Sequence, residues 1–387
     1  MLRGILQRGT RKGLTQLRIT GQTPKASLYA GRRFFLLSRV FLARPGWPCY
    51  TLVLPRAGDA IGTGSLRDLA TAPKRQGTVS TPLAYERRIV ELEALLGKAK
   101  SDDERRSLEH ELEKERARLS ADVTPWQRVE LARHAQRPKM LDYTARIFED
   151  FIEMHGDRCS GDDTAMVGGI ARFHGQTVVL VGTQKGVSTE DKIYRKFGMS
   201  HPQGYRKALR LFETAERLNL PIITLVDTPA AHPDPQAEED GQGPAIAANL
   251  LYLMRVKTPV FSVVLGEGGS GGALGIAVGD WVAMFEHAIY VICPPERCAE
   301  ILWRDASKKE LAAAALRITA HDLKRLGVID SVLNEPGGGA HRNPEGAAEV
   351  LSGEIAQFMA AAKEGKWNPQ LRQQKFRRMG VWKEVNS

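Results

Sequence analysis

The run Gly266-Glu267-Gly268-Gly269-Ser270-Gly271-Gly272-Ala273-Leu274 constrains this chain more than any other part of it. A β-branched, apolar segment, Pro259 to Leu265, leads into it, and Ala273-Leu274-Gly275-Ile276-Ala277-Val278 can start a helix behind it. Strand, glycines, helix is the order of a parallel α/β unit. Its turn leaves backbone N–H groups that neither the sheet nor the helix uses. Glycine lets main chain rather than side chain face a ligand, and the positive end of a helix favours negative charge there. The segment therefore predicts an oxyanion site, with a flexible glycine linker as the plain alternative.

The remaining sequence extends the α/β pattern. Met166–Phe173 and Gln176–Val181 read as strands joined at His174-Gly175, and 203–218 as a helix. A strand over 221–227, a helix over 243–254, a strand over 288–292 and helices near 297–303 and 344–362 follow. Asp142 is expected to cap a helix ending at His155-Gly156. Alternation of this kind predicts parallel β units with buried strands. Ahead of it, residues 81–137 predict a helical arm. Tyr85, Ile89, Leu92 and Leu96 make one stripe, and Leu108, Leu112 and Leu119 another. Ser101-Asp102-Asp103-Glu104 and Thr124-Pro125-Trp126-Gln127 have the form of helix starts. The expected organisation is a basic extension over 1–80, the arm over 81–137, the main domain over 138–365 and a tail over 366–387.

Charge matters only by its location. Of 55 basic and 45 acidic residues, fourteen and two fall within residues 1–78, leaving 41 and 43 for the rest. The body is near neutral, which argues against a nucleic-acid-binding core. The acid-poor leader suits an organelle transit peptide, although Ser27, Ser38 and Ser65 are few for one; a flexible tail or a misassigned start fits as well. Phe34–Ala43, broken by Ser38 and Arg39, is too short for the roughly 20 apolar residues of a membrane span. Cys49, Cys159, Cys293 and Cys298 have neither disulfide-framework nor zinc-site spacing, so free thiols and no bound metal are expected.

Two turns carry the chemistry. One is the glycine turn after Leu265; the other is Asp227-Thr228-Pro229-Ala230-Ala231-His232-Pro233, after the 221–227 strand. Ligands of parallel α/β proteins gather at the carboxyl ends of strands, so both turns can face one crevice. An ordinary Asp-capped turn is the plain alternative for the second. Gly268-Gly269-Ser270-Gly271-Gly272 also fits the Gly-x-Ser-x-Gly elbow of serine hydrolases, with Asp280 or Asp305 and His321 or His341 as partners for Ser270. Lys185, Arg206, Lys207 and Arg210 can hold phosphates or an acidic partner, or can be solvated faces. There is no P-loop, and Gly266-x-Gly268-x-x-Gly271 lacks the context of a dinucleotide fingerprint. Nor is there a Met-Lys-Met biotin-attachment signature.

A longer set of segments occurs in order: Asp163, Met166–Arg172, Gln184-Lys185-Gly186, Phe197-Gly198-Met199, Gly204–Ala208, Asp227-Thr228-Pro229, Ala237-Glu238-Glu239, Gly266–Leu274, Ile301-Leu302-Trp303 and Gly338–Pro344. By these, from about residue 82 onward, the chain resembles the carboxyltransferase α subunit of the multisubunit, bacterial and plastid type of acetyl-CoA carboxylase. The resemblance implies a crotonase-like ββα spiral of the ClpP/crotonase superfamily. It implies transfer of a carboxyl group from carboxybiotin, on the biotin carboxyl carrier protein, to acetyl-CoA, giving malonyl-CoA for fatty acid biosynthesis. It also implies an α2β2 assembly with a zinc-ribbon β subunit that supplies most CoA contacts, and a biotin carboxylase that consumes the ATP. Gly271 and Gly272 would hold the biotin oxygen, with Ala230 and Ala231 of the facing turn counted with them as catalytic. Gly268, Gly269, Ser270, Lys185, Arg206 and Lys207 are assigned to cofactor binding, and no metal to this chain. Each backbone donor to a developing negative charge is worth roughly 3–4 kcal/mol. No side-chain base is needed if biotin's own nitrogen takes the methyl proton.

The chain departs from the family's usual Asp-Thr-Pro-Gly-Ala-Tyr-Pro-Gly at Ala230, His232 and Asp234, and also carries Pro235, Gln236, Asp240 and Arg297. A Cβ at 230 is costly if φ there is positive. Altered activity, an altered substrate or a non-catalytic scaffold subunit therefore stand beside the carboxyltransferase reading, as does the serine hydrolase. A bacterial cytoplasm is the expected compartment, or the plastid stroma if residues 1–78 are a transit peptide.

Overall fold

The structure, a computed structural model, describes residues 83–380; the basic extension expected over 1–80 lies outside the described residues, as does 381–387. The arm forms as a hairpin of α1 (Arg87–Leu96) and α2 (Asp102–Asp122). Ile89, Leu92 and Leu112 are buried in its seam, with Leu96 and Leu108 packed on them. The Leu119 side chain lies outside the described residues. Tyr85 leaves the seam, and its hydroxyl donates to the Gln127 carbonyl at 3.1 Å. Both expected helix starts exist. The Glu104 N–H donates to Ser101 Oγ at 3.2 Å, and Thr124 and Gln127 make reciprocal bonds of 3.2 and 2.8 Å at the start of α3 (Pro125–Ala132).

The helix α4 (Met140–Ile147) stops well short of His155-Gly156. Asp142 sits inside its first turn, where its carboxylate accepts from the Lys139 N–H at 2.8 Å, and so is not the cap. The chain then extends as β1 (Glu149–Glu153), antiparallel to β2 (Met166–Phe173). Glu-Asp-Phe-Ile-Glu carries the charge that suits an edge strand and hides it from pattern reading. A turn with positive φ at His174 and Gly175 joins β2 to antiparallel β3 (Gln176–Thr183).

After that hairpin come α5 (Thr189–Tyr194), α6 (Pro202–Leu218), β4 (Ile222–Thr228), α7 (Pro235–Glu239), α8 (Gln242–Leu253), β5 (Val260–Gly269) and α9 (Ser270–Leu274). The chain continues through β6 (Trp281–Phe285), β7 (Ile289–Val291), α10 (Pro295–Trp303), α11 (Lys309–Ala315), α12 (Ala320–Arg325), β8 (Ser331–Leu333), α13 (Pro344–Lys363) and α14 (Pro369–Arg377). The sheet runs β1-β2-β3-β4-β5-β6-β8, parallel from β3 onward, with β7 on the far end of β5. The α/β expectation holds. All residues of β4 and β5 are buried, which is why their sequences are nearly continuous apolar runs.

Two further boundaries differ from expectation. β5 continues to Gly269 because Glu267–Gly269 pair with Ile289–Val291 while Thr228 aligns with Gly268 on the other side. Most of the glycines therefore belong to a strand, and the helix behind them has five residues. Residues 366–380 are also more than a tail. Arg372 of α14 is buried, donates to Asp280 at 3.0 and 2.6 Å, and reaches the carbonyls of Leu253, Val256 and Thr258. It closes the end of α8 with a cation, as unpaired helix carbonyls favour.

Candidate active site

The turns after β4 and β5 meet backbone to backbone. A Cβ on Gly269 would run into the Pro229 carbonyl, and one on Gly272 into the Ala230–Ala231 peptide. Only glycine permits that approach. The Thr228 hydroxyl shapes the β4 turn, donating to the Ala230 carbonyl at 2.7 Å and accepting from its N–H at 3.3 Å. Ala230 does not have positive φ, so the Cβ there carries no left-handed strain. Gly271 faces open space, its nearest neighbour in the Cβ direction being Ile246 Cδ1 at 3.6 Å. Gly271 and Gly272 are the second and third residues of α9, where a backbone N–H has no acceptor within the helix. The buried Tyr205 hydroxyl donates to the Gly272 carbonyl at 3.2 Å and fixes that peptide from below.

Beside these turns a charged cluster lines a cavity of about 210 Å³ bounded by Arg133, Ala135, Lys139, Lys185, Lys192, Phe197, Pro229 and Glu267. Lys185 Nζ lies 2.8 Å from Asp227 Oδ1 and 2.6 Å from Glu267 Oε2. Arg133 Nε donates to Glu267 Oε1 at 2.7 Å, and the Glu267 N–H donates to Asp227 Oδ1 at 2.9 Å. Burial alone would raise the Glu267 carboxyl, but Lys185 and Arg133 hold it at about 2. Burial likewise opposes the Lys185 ammonium, and Asp227 and Glu267 outweigh it, raising its pKa. Lys139, 3.9 Å from Asp227 Oδ2, is pushed by burial down to about 8 despite that carboxylate. The four lining cations outnumber the carboxylates paired with them, Glu267, Asp227 and Glu296, by one, a small positive excess that suits an anion.

The structure brings together Ala230, Ala231, Gly269, Gly271 and Gly272, and sets Lys185 beside them. Gly268 instead packs under Tyr290, whose ring a Cβ would meet at 2.8 Å. Arg206 and Lys207 pair with other groups of the chain. Arg206 donates to Asp157 at 2.8 Å, to Ser160 Oγ and to the Asp240 carbonyl. Fully buried Lys207 donates to Asp162 at 2.6 Å and to the Asp163 carbonyl at 2.7 Å. Both charges are committed to the 157–163 loop, a pairing that no local sequence pattern reveals. Three of the candidate partners for Ser270 are engaged elsewhere. Asp280 is paired with Arg372, Asp305 caps the turn at Ser307, and His341 Nε2 lies 3.0 Å from Glu86. Ser270 is exposed with φ 49°. Arg133, Lys139 and Glu267 had no sequence signal of a joint role, because their partners are remote along the chain.

The family described as acetyl co-enzyme A carboxylase carboxyltransferase-like matches residues 81–380. The chain is 48% identical over 312 residues to the acetyl-coenzyme A carboxylase carboxyl transferase subunit alpha of Cyanothece sp., covering 78% of this chain and 96% of that one. It is 50% identical over 285 residues to the protein of the same name from Geobacter metallireducens, covering 72% and 88%. Among solved structures, transcarboxylase 12S aligns over 54% of this chain and 40% of its own at 23% identity and a TM-score of 0.44.

Proposed function

Because the chain belongs to the acetyl-CoA carboxylase carboxyltransferase family, as an α subunit, we propose that its 230–231 and 271–272 turns form the biotin-facing half of the carboxyl-transfer site. The chain is a transferase subunit of fatty acid biosynthesis. Carboxybiotin, when bound, supplies an activated carboxyl group, and acetyl-CoA accepts it to give malonyl-CoA. The chain's contribution is electrostatic. The Gly272 residue whose N–H is offered is fixed before the reaction at its own carbonyl by Tyr205 and by contact with Ala230–Ala231. Such fixed donors stabilise developing negative charge without reorganising. The neighbouring cavity, positive through Arg133, Lys139, Lys185 and Lys192, suits the carboxylate or a CoA phosphate, and Lys185 holds Glu267 and Asp227 rather than reacting itself.

The observation that carries the reading is the close approach of Gly272 to the Ala230–Ala231 peptide, which unites two strand-end turns in one backbone surface. The rest of the site belongs to a β subunit carrying the zinc ribbon, in an α2β2 assembly served by the biotin carboxyl carrier protein and biotin carboxylase. Exposed Ile292, Ile301 and Leu302, at and just before α10, are the kind of apolar surface a partner covers. Among the described residues no helix is long and apolar enough to cross a membrane. The test is formation of malonyl-CoA from acetyl-CoA and carboxylated carrier. Product should require both subunits; a stable complex that makes none would leave the chain a scaffold.

A further inference from the structure

We propose that His201, His232 and Asp234 form a binding site for a divalent transition-metal ion of the Zn²⁺ type. The three come from two chain segments, the start of α6 and the loop between β4 and α7. His201 precedes the first turn of α6, His232 lies in the loop after β4, and Asp234 caps α7. Their backbones are fixed to one another. The His232 N–H donates to the Ser200 carbonyl at 3.0 Å, and the buried Gln242 amide donates to the carbonyls of Ser200 and His232 at 2.8 and 3.0 Å. The His201 N–H is held by Asp163 at 3.0 Å.

The side chains converge on one point. Asp234 Oδ1 takes the Ala237 N–H at 2.7 Å, which orients the carboxylate and leaves Oδ2 facing both imidazoles. Oδ2 lies 3.4 Å from His201 Nε2 and 3.3 Å from His232 Nδ1. A tetrahedral ion with bonds of about 2.0–2.1 Å separates its ligand atoms by about 3.3–3.4 Å, which is the spacing of each histidine nitrogen from Oδ2. All three ligand atoms lie within 4.8 Å of one another. Both nitrogens are also buried without a hydrogen-bond partner among the described residues. An unsatisfied buried nitrogen costs about 1–3 kcal/mol, and an ion would satisfy two of them together.

At 3.4 and 3.3 Å, both contacts with Oδ2 are long for ordinary histidine–carboxylate hydrogen bonds. Two imidazoles and one carboxylate, each partly exposed, leave a coordination position open to water, as in catalytic rather than structural zinc sites. The second His/acid cluster, Glu86, His134 and His341, differs because Arg342 already neutralises Glu86 at 3.1 Å. An ion on His232 would tie the loop carrying Ala230–Ala231 to the start of α6. The site stands on its own geometry and does not depend on the carboxyl-transfer reading.

The test titrates Co²⁺ into the full-length chain, stripped of metal by a chelator, reads its visible absorption, and then displaces it with Zn²⁺. One equivalent should bind with the intense bands of four-coordinate Co²⁺. His201→Gln, His232→Gln and Asp234→Asn should each weaken binding by about 100-fold or more, beyond what losing an outer-shell partner costs. His134→Gln and a Cys293→Ser/Cys298→Ser double variant should leave it unchanged. Asp234→Asn keeps the acceptor for the Ala237 N–H, so it decides the matter if a histidine variant fails to fold. Absence of binding, six-coordinate spectra only, or binding that survives the three variants overturns the proposal.

Discussion

Replacing Gly272 with alanine tests the joined turns, because the structure gives neighbouring glycines opposite tolerances. A Cβ at Gly272 would stand 2.8 Å from the Ala230 carbonyl oxygen, 0.6 Å inside the 3.4 Å at which ordinary contact begins, and nearer still to Ala230 C and Ala231 N. These are backbone atoms that cannot rotate away, so the β4 and β5 turns must part by more than half an ångström. Overpacking of this kind costs about 1–3 kcal/mol, and displacing catalytic groups by about 1 Å costs about 100-fold in rate. At Gly271 the added Cβ meets only Ile246 Cδ1, at 3.6 Å, and alanine there gains about 0.5–1 kcal/mol of helix preference over glycine. Both variants keep the N–H groups, so geometry alone separates them. The assay is malonyl-CoA-dependent carboxylation of free biotin by the chain reconstituted with a β subunit, alongside thermal unfolding. Gly272→Ala should lose about 100-fold in turnover and several degrees in Tm, while Gly271→Ala keeps its Tm or gains. Equal losses in the two variants, or none in Gly272→Ala, would refute the reasoning.

Three further outcomes follow from buried and exposed groups. Arg137 and Glu335 form a fully buried bidentate pair at 2.8 and 2.6 Å, with Arg137 also donating to the Leu265 carbonyl; Arg137→Met should cost about 3–5 kcal/mol in urea unfolding by stranding the carboxylate. Glu267 and Glu335 both sit at about 2, since Lys185 with Arg133 and Arg137 with His287 overcome the opposing effect of burial. The unfolded chain then binds more protons between about 4.5 and 2, so this stability is complete above about 4.5 and drains as pH falls. Glu267→Gln should flatten that acid slope, and an unchanged slope between about pH 5 and 3 would contradict the assignment. Ser270, exposed at φ 49°, should be replaceable by glycine with carboxyl transfer intact, whereas a serine nucleophile would lose all activity.

The parts of the fold legible in the sequence are those whose burial imposes a pattern. Residues 221–227 and 259–265 read as strands because both faces are covered, and α3 was marked by Thr124, Pro125 and Gln127. The short strands β1, β6 and β8 were not legible, having three to five residues and no lasting alternation. Of the site, the two turns were visible because glycine and Asp-Thr-Pro have few other uses at strand ends. Glu267, hidden among glycines, acquires meaning only when Arg133 and Lys185 arrive from distant elements. Arg206 and Lys207 show the converse, since a basic helix face does not disclose that its acids, Asp157 and Asp162, wait on a facing loop. His201 and His232 were equally invisible as a pair, being separated by α6 and β4.

The central claim is that backbone N–H groups at the start of α9 carry the transfer, and exchanging one of them for oxygen tests it most directly. Glycolic acid in place of Gly272 replaces the N–H with an ester oxygen while leaving the carbonyl that Tyr205 holds and adding no side chain. In the reconstituted assembly the account predicts a loss of about 100- to 1,000-fold in carboxyl transfer between malonyl-CoA and biotin, as for removal of one oxyanion donor, with assembly and Tm nearly unchanged. Transfer at the parent rate from the ester variant would show that the Gly272 N–H does not stabilise the reacting charge, and would contradict the account.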